Sequence, residues 1–324
     1  MQTITGTDIE LAKEFLCNGD LVAIPTETVY GLAANALDED AVLKIFEVKN
    51  RPRFNPLIVH CANWEQMEKY VKNIPAKAEI LAKKFCPGPL TFLFDKQDII
   101  PDLVTAGNAK VAIRIPDHPL TLALLASLDF PVAAPSANPF GYISPTTAQH
   151  VFKNLSGKIP YILDGGVAEV GLESTIIGFG ENEQVILYRV GGISVEEIET
   201  VLQEKIIVEN TFGLNKPETA GQLKSHYAPD TALYTGDINQ LLLQFAGKRV
   251  ATISFFKQYS VLPLSNQFIL SPSGNLDEAA KNLFAALRTI DELNVDVILA
   301  EIFPDKGIGR AINDRLNRAG VENK

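Results

Sequence analysis

Three cations fall within five residues of this chain: Lys49, Arg51 and Arg53, in the stretch KNRPRFNPL over residues 49–57. A lysine offers a point charge, and an arginine offers a planar fork that fits phosphate or carboxylate oxygens. Pro52 and Pro56 stiffen the stretch, which lowers the cost of ordering it around a ligand. These residues point to an anion site, with a solvated basic loop as the alternative. His60 closes the apolar run that follows. Taken alone, a histidine there reads as a satisfied core residue rather than a catalytic one.

Three further clusters carry unusual polar groups. Residues 25–32 (PTETVYGL) place two hydroxyls, a carboxylate and a phenol between an apolar run and Gly31; a plain turn with a helix cap is the alternative. Arg114 lies inside the apolar run VAIRIP, where a charge is costly unless it is paired or meets a ligand. Lys110 precedes it, and the loop AAPSANPFG (133–141), with Ser144 beyond, adds hydroxyls and backbone donors. An ordinary Pro-rich turn is the alternative there. The last cluster is GLESTI (171–176), with Arg189 at the end of the next apolar run; a structural Glu173–Arg189 pair is its plain reading.

Periodicity shows which elements must hold these loops. A helix opens at Thr7 or Asp8 and ends at Gly19. Strands are expected at 21–24, 57–60, 90–94, 111–115, 132–134, 161–163, 174–179 and 185–189. Helices are expected at 38–48, 64–85 with an interruption near Pro75, 119–128 and 146–155, and another opens at Ser194. The clusters therefore fall just after strands, where an α/β sheet usually places its ligand. Residues 206–229 are polar, broken by Gly213, Pro217, Gly221 and Pro229, and read as a linker. Beyond it, strands at 232–234, 249–254, 267–270 and 295–300 alternate with helices at 238–246, 276–291 and 308–319. That alternation implies a small α/β domain with a largely parallel sheet.

Composition narrows the function classes. The chain has 324 residues, 46% hydrophobic and 21% charged, which fits about two globular domains. The net charge of -10 leaves no broad electrostatic footprint for duplex DNA, so any polyanion contact must be local. The three cysteines, Cys17, Cys61 and Cys86, are far apart and odd in number, which fits a reducing compartment. No run approaches a membrane span, so a soluble, cytoplasmic protein without membrane contact is expected. Gly307-Ile308-Gly309 lacks the third glycine of a dinucleotide fingerprint, and Gly157-Lys158 is no P-loop. No metal-spaced His or Cys set and no nucleophile elbow is present, so no protein-only metal site is expected. Magnesium carried by nucleotide phosphates remains open.

At these loops the sequence resembles the Sua5/YrdC/YciO family. The resemblance is carried by PTETVYGL, KNRPRFNPLIVH, PGPLTF, VAIRIP, APSANPFGYISPT, the ESTI box and YRVGGIS, in order through about residue 205. It continues through SHYAP (225–229) into a unit ending GIGRAINDRLNRA, a layout similar to the Sua5 subgroup. The resemblance implies a twisted mixed-sheet YrdC-like catalytic domain (1–205), a linker (206–230) and a small Rossmann-like α/β domain (231–324).

The activity implied by the resemblance is a nucleotidyltransferase: L-threonine, bicarbonate or CO2 and ATP give L-threonylcarbamoyl-adenylate and pyrophosphate. A separate transferase complex then modifies adenosine 37 of tRNAs that read ANN codons. Carried over by position, Thr28, His60, Arg114, the backbone around Ala134, and Ser174 would hold threonine. Lys49, Arg51, Asn55, Lys110, Ser136, Ser144, Arg189 and the linker residue His226 would hold ATP. Lys49, Arg51 and ATP-borne magnesium would stabilise the phosphoryl transition state. Lys110 stands where relatives carry a small hydroxyl residue, and Ala220-Gly221-Gln222 where the linker commonly reads Pro-Gly-Met. The alternative function is a double-stranded RNA or tRNA-binding module that uses the same concave basic surface, which leaves room for a weak tRNA contact.

Overall fold

Short β-branched and aromatic runs form the strands of this chain, and side-chain caps start most of its helices. In a computed structural model, residues 1–208, 218–221 and 227–320 are described. The first unit runs β1 (Ile4–Gly6), α1 (Ile9–Cys17), β2 (Val22–Ile24), β3 (Gly31–Asn35), α2 (Glu39–Lys49), β4 (Ile58–His60), α3 (Trp64–Glu68), β5 (Val71–Lys72), α4 (Ala76–Phe85) and β6 (Leu90–Lys96). It continues with α5 (Asp102–Thr105), β7 (Lys110–Arg114), α6 (Pro119–Ala126), β8 (Val132–Ala133), α7 (Ala148–Leu155), β9 (Tyr161–Leu163), β10 (Thr175–Phe179), β11 (Val185–Arg189), α8 (Val195–Leu202) and β12 (Ile207–Val208). The second unit runs β13 (Leu233–Thr235), α9 (Ile238–Gln244), β14 (Val250–Ser254), β15 (Gln267–Ile269), α10 (Leu276–Asp291), β16 (Val297–Ala300) and α11 (Gly309–Ala319).

Among the described residues, the strands of the first unit make one 12-stranded mixed sheet. Its order is β1-β9-β2-β3-β8-β4-β7-β6-β10-β11-β12, with β5 pairing β6. The second unit is a four-stranded, all-parallel sheet, β13-β16-β14-β15. Asp8, not Thr7, caps α1 by accepting from the Leu11 amide. Ser194 and Glu197 form a reciprocal capping box at α8.

Several expectations change. Residues 64–85 are two helices separated by β5, because Pro75 cannot continue a helix and Val71 pairs with Lys96. Residues 25–32, for which a turn with a helix cap is the alternative to a polar site cluster, lead into no helix but into β3 from Gly31 onward, antiparallel to β2. The start of the linker is partly sheet, since Ile207 and Val208 add to β11. β1 carries too few apolar residues to stand out from sequence.

The sheet has two unlike faces. On one, Val59, Phe92 and Ile113 join Leu32, Ile45, Leu81 and Val151 in the main core. Each fully buried side chain of this kind contributes roughly 1.5–3 kcal/mol. On the other face, the alternate residues Ile58, Leu93, Ala112, Ile176 and Tyr188 form a small cluster against which Ala220 packs. The second unit closes on this side. Val29, Ile143 and Leu172 of the first unit share a core with Leu283, Phe284 and Ile312. Gly171, at φ +75°, lets the loop approach α10 so closely that a Cβ would lie 2.5 Å from the Lys281 Cα.

Candidate active site

Six neighbouring strands deliver polar groups to one end of the sheet. His60 ends β4 opposite Arg114, which ends β7. Arg114 lies opposite Thr91 on β6, and the Thr91 and Ser174 hydroxyls share a hydrogen bond at 2.7 Å just before β10. Arg189 ends β11, and Ala134 follows β8. His60, Arg114, Ser174, Arg189 and Ala134, with Thr26, Thr28, Arg51, Ser136, Glu173, Ala220, Gly221 and Tyr227, line a cleft floored by Ile58, and Thr91 supports Ser174 from outside that lining. Its volume is about 50 Å³, enough for a few waters.

Arg114 is 4% exposed and is met by protein on three sides. It donates to the Gly88 carbonyl (3.1 Å), the Thr28 hydroxyl (2.9 Å) and Glu27 Oε1 (2.5 Å). The other Glu27 oxygen accepts from the Asp117 amide at 3.0 Å. The buried charge is therefore paired within the chain, as a group of this kind must be.

Arg51 donates to the carbonyls of Asn55 (3.2 Å) and Pro56 (2.9 Å), which leaves part of its five-donor fork for a ligand. Burial, offset by Tyr227 and helped by Arg189 nearby, brings its pKa down to about 9, so it stays charged at neutral pH. Asn55 is 1% exposed, and neither its amide nitrogen nor its amide oxygen has a hydrogen-bond partner among the described residues. Asn55 follows Arg51 but is not a lining residue of the cleft, and a buried amide of this kind calls for a polar partner such as water or a ligand.

The remaining expected residues divide by what they touch. Lys49 does not line the cleft. Its ammonium lies behind the wall, donating to the carbonyls of Ser136 (2.5 Å) and Asn138, and burial, then Arg51, holds its pKa well below the ordinary lysine value. Arg189 commits four N–H groups: Nε and Nη2 to the Ser174 carbonyl, Nη2 also to the Ser174 hydroxyl, and Nη1 to the Ala220 carbonyl. Burial brings its pKa to about 10. Gly191 lies against this backbone, where a Cβ would come 2.4 Å from the Ser174 carbonyl carbon.

Ser144 is buried behind Glu173 and donates to its Oε1 at 2.5 Å. The Glu173–Arg189 pair read from sequence does not form; Glu173 Oε2 accepts instead from Arg315 of α11 at 2.8 Å. Lys110 begins β7, roughly 13 Å along the strand from Arg114, and is not a lining residue. His226 lies outside the described residues.

His60 is 4% exposed. Burial, with Arg114 beside it, pushes its pKa down to about 3, so the ring is neutral at physiological pH. Its Nδ1 pairs with the Ile58 carbonyl at 3.1 Å. Carbonyl oxygens only accept, so Nδ1 carries the proton and Nε2 is an acceptor.

Sequence reasoning missed Thr91, Glu27 as the partner of Arg114, Tyr227 and Arg315. A threonine inside the apolar run LTFLF was the available signal for Thr91. Arg315 gave none, since its partner is 142 residues away. Arg310, next to the rejected glycine pair, is tied to Glu196 (2.9 Å) and Asp305 (3.6 Å). Among the described residues, no group of three or more His, Cys, Asp or Glu is gathered as for a metal, and no helix is long and apolar enough to cross a membrane.

Two family models cover the chain. One described as "Telomere recombination" (Sua5/YciO/YrdC) matches residues 14–191, and the threonylcarbamoyl-AMP synthase C-terminal domain matches 193–320. The threonylcarbamoyl-AMP synthase of Pyrococcus abyssi is 43% identical, over 96% of this chain and 93% of that protein. The Bacillus subtilis protein of the same name is 42% identical, over 96% and 92%. The crystal structure of P. abyssi Sua5 complexed with L-threonine superposes with a TM-score of 0.90 at 41% identity, covering 98% of this chain and 97% of that one.

Proposed function

The chain belongs to the Sua5/YrdC/YciO family, and from that premise we propose that its cleft converts L-threonine, bicarbonate or CO2 and ATP into L-threonylcarbamoyl-adenylate and pyrophosphate. The observation that carries this reading is the pairing, in one cleft, of a hydroxyl-rich amino-acid end (Thr28, Arg114, Ser174) with a cationic end (Arg51) beside the partnerless Asn55 amide. Near-full-length identity to synthases of that name supports it. The product feeds threonylcarbamoyl modification of adenosine 37 in tRNAs reading ANN codons, through a separate transferase complex. The working compartment is the cytoplasm, in keeping with three free cysteines.

Two bonds form in sequence. The threonine amine attacks the carbon source, giving a carbamate, and with bicarbonate water leaves. A carbamate oxygen then attacks the α-phosphorus of ATP and displaces pyrophosphate. Arg114, flanked by Glu27 and Thr28, fixes the amino-acid carboxylate, while neutral His60 presents an acceptor to the threonine hydroxyl or amine. The Ala134 backbone and Ser174, held by Thr91 and Arg189, complete the amino-acid end.

Arg51, Asn55 and Ser136 take the phosphates. Lys49 acts through the 136–138 loop and Arg189 through Ser174, while Ser144 lies behind Glu173 and does not reach the nucleotide itself. Lys110 and His226 remain ATP contacts by resemblance to the family alone. A closed, water-poor cleft protects the labile carbamate and holds it next to phosphorus.

The lining Glu173 is committed to Ser144 and Arg315, and Glu27, behind Arg114, is committed to that arginine. That arrangement fits a magnesium ion carried by the triphosphate, with phosphate oxygens and water as its ligands. When bound, the ion neutralises phosphate charge. The test is pyrophosphate release: it should require threonine and bicarbonate together. Release of equal size without threonine would reject the reading.

A further inference from the structure

The second unit sends one side chain to the back of the cleft. Arg315, in α11, is fully buried. It donates to Glu173 Oε2 (2.8 Å), to Asp314 Oδ2 (2.6 Å) and to the Val190 carbonyl (3.0 Å), and its guanidinium lies 5.0 Å from the centre of the Tyr227 ring. Glu173 and Tyr227 both line the cleft. A second arginine of the same unit, Arg288 in α10, holds the carbonyls of Ile143 and Ser144. Ser144 in turn donates to Glu173 Oε1. Both oxygens of Glu173, the one lining carboxylate among the described residues, are thus fixed, Oε2 by Arg315 itself and Oε1 by Ser144, whose carbonyl Arg288 holds.

A carboxylate on the wall of a site meant for a polyphosphate is a liability, because like charges in a desolvated cleft repel. We propose that Arg315 is a positioning residue for the nucleotide side of the cleft: it cancels the Glu173 charge and turns that carboxylate toward Ser144, so that Arg51 meets the phosphates unopposed. The second unit thereby completes an electrostatic site that the first unit carries only in part. This rests on the cleft being the ATP site.

The test compares the full-length parent, Glu173→Gln, Arg315→Met and the double variant carrying both changes. The readouts are KM for ATP and threonine, and ATP affinity by calorimetry with magnesium present. Arg315→Met should raise KM and Kd for ATP by about 10–100-fold, with a smaller change in kcat and in KM for threonine. Glu173→Gln should leave ATP affinity unchanged or tighter. In the double variant, ATP affinity should return to within about threefold of Glu173→Gln, since the liability is gone.

If Arg315→Met does not fold, the comparison of Glu173→Gln with the double variant still decides. A further loss of tenfold or more in ATP affinity on removing Arg315 when Glu173 is already neutral would overturn the proposal. So would a Glu173→Gln enzyme that binds ATP tenfold more weakly than the parent. A purely structural role would lower thermal stability and leave the ATP affinity of folded protein unchanged, which also contradicts it. Failure of the reaction itself is separable: a parent that binds ATP but forms no adenylate would reject the proposed function and leave the calorimetric comparison standing.

Discussion

Arg114 and Glu27 form a buried ion pair at 2.5 Å, on a strand end and a loop 87 residues apart in sequence. The arginine that would grip an amino-acid carboxylate is thus already oriented by a carboxylate of the chain. An incoming ligand has to use the donors that Glu27, Thr28 and Gly88 leave over. Replacing Glu27 with Ala would strand the guanidinium in a buried site, and a loss of roughly 3–5 kcal/mol in unfolding free energy is expected. Urea denaturation measures it. Glu27→Gln, which keeps an acceptor, should lose less than Glu27→Ala, and equal losses would mean that the charge of Glu27 is irrelevant.

Arg51 and Lys49 should part company on mutation although only two residues separate them. Arg51→Ala would remove the charge-assisted phosphate contact proposed for this residue. A loss of about 2–4 kcal/mol of transition-state stabilisation is expected in kcat/KM for ATP, on top of a stability loss from the Asn55 and Pro56 carbonyls left unpaired. Lys49→Met instead leaves the Ser136 and Asn138 carbonyls unpaired. Its first effect should be on stability, at roughly 1–3 kcal/mol. Steady-state kinetics alongside thermal melts separates the two patterns.

Selectivity against valine follows from the polar lining of the amino-acid end. Valine matches threonine in shape but brings no hydroxyl, so it would leave the buried His60 Nε2 without the partner proposed for it. Discrimination on the order of 10⁴ in kcat/KM is expected. Competing turnover of the two amino acids measures the ratio, and a value below about tenfold would show that the cleft does not read the hydroxyl.

His60 makes stability depend on pH in a defined window. Its folded pKa of about 3 lies below the ordinary histidine value near 6.5. Above that value both states are neutral and the group contributes nothing. As pH falls through the window, only the unfolded chain takes up the proton, so stability drops by roughly 1.4 kcal/mol per pH unit. Between about pH 7 and about pH 5 the expected loss is on the order of 2 kcal/mol, and His60→Gln should remove most of it. His150, held down to about 4 chiefly by burial, supplies a second loss of similar size and the same sign, which His60→Gln leaves in place. Chemical denaturation at the two pH values in both proteins checks it.

The sequence carried the strands and the loops after them clearly, because β-branched runs and Pro/Gly punctuation are local signals. The parallel second unit was legible for the same reason, from alternating strands and helices. β3 was not: GLAAN is small and ends in a polar residue, and its identity as a strand comes from pairing with β2 and β8. In the site, the cations were visible as residue types, but their employment was not. Arg51 faces the cleft while Lys49 is spent on a loop, a difference made by side-chain direction at the end of α2. Contacts between distant segments were out of reach, as Thr91 with Ser174 and Glu173 with Arg315 show.

One measurement bears most directly on the chemistry assigned to this cleft. The full-length protein is incubated with ATP, magnesium, L-threonine and carbon-labelled bicarbonate, and the nucleotide products are resolved by mass. Expected is an adenylate that carries both the threonine and the labelled carbon, formed in step with pyrophosphate. Pyrophosphate without that species, or an adenylate lacking the label, would contradict the reaction proposed.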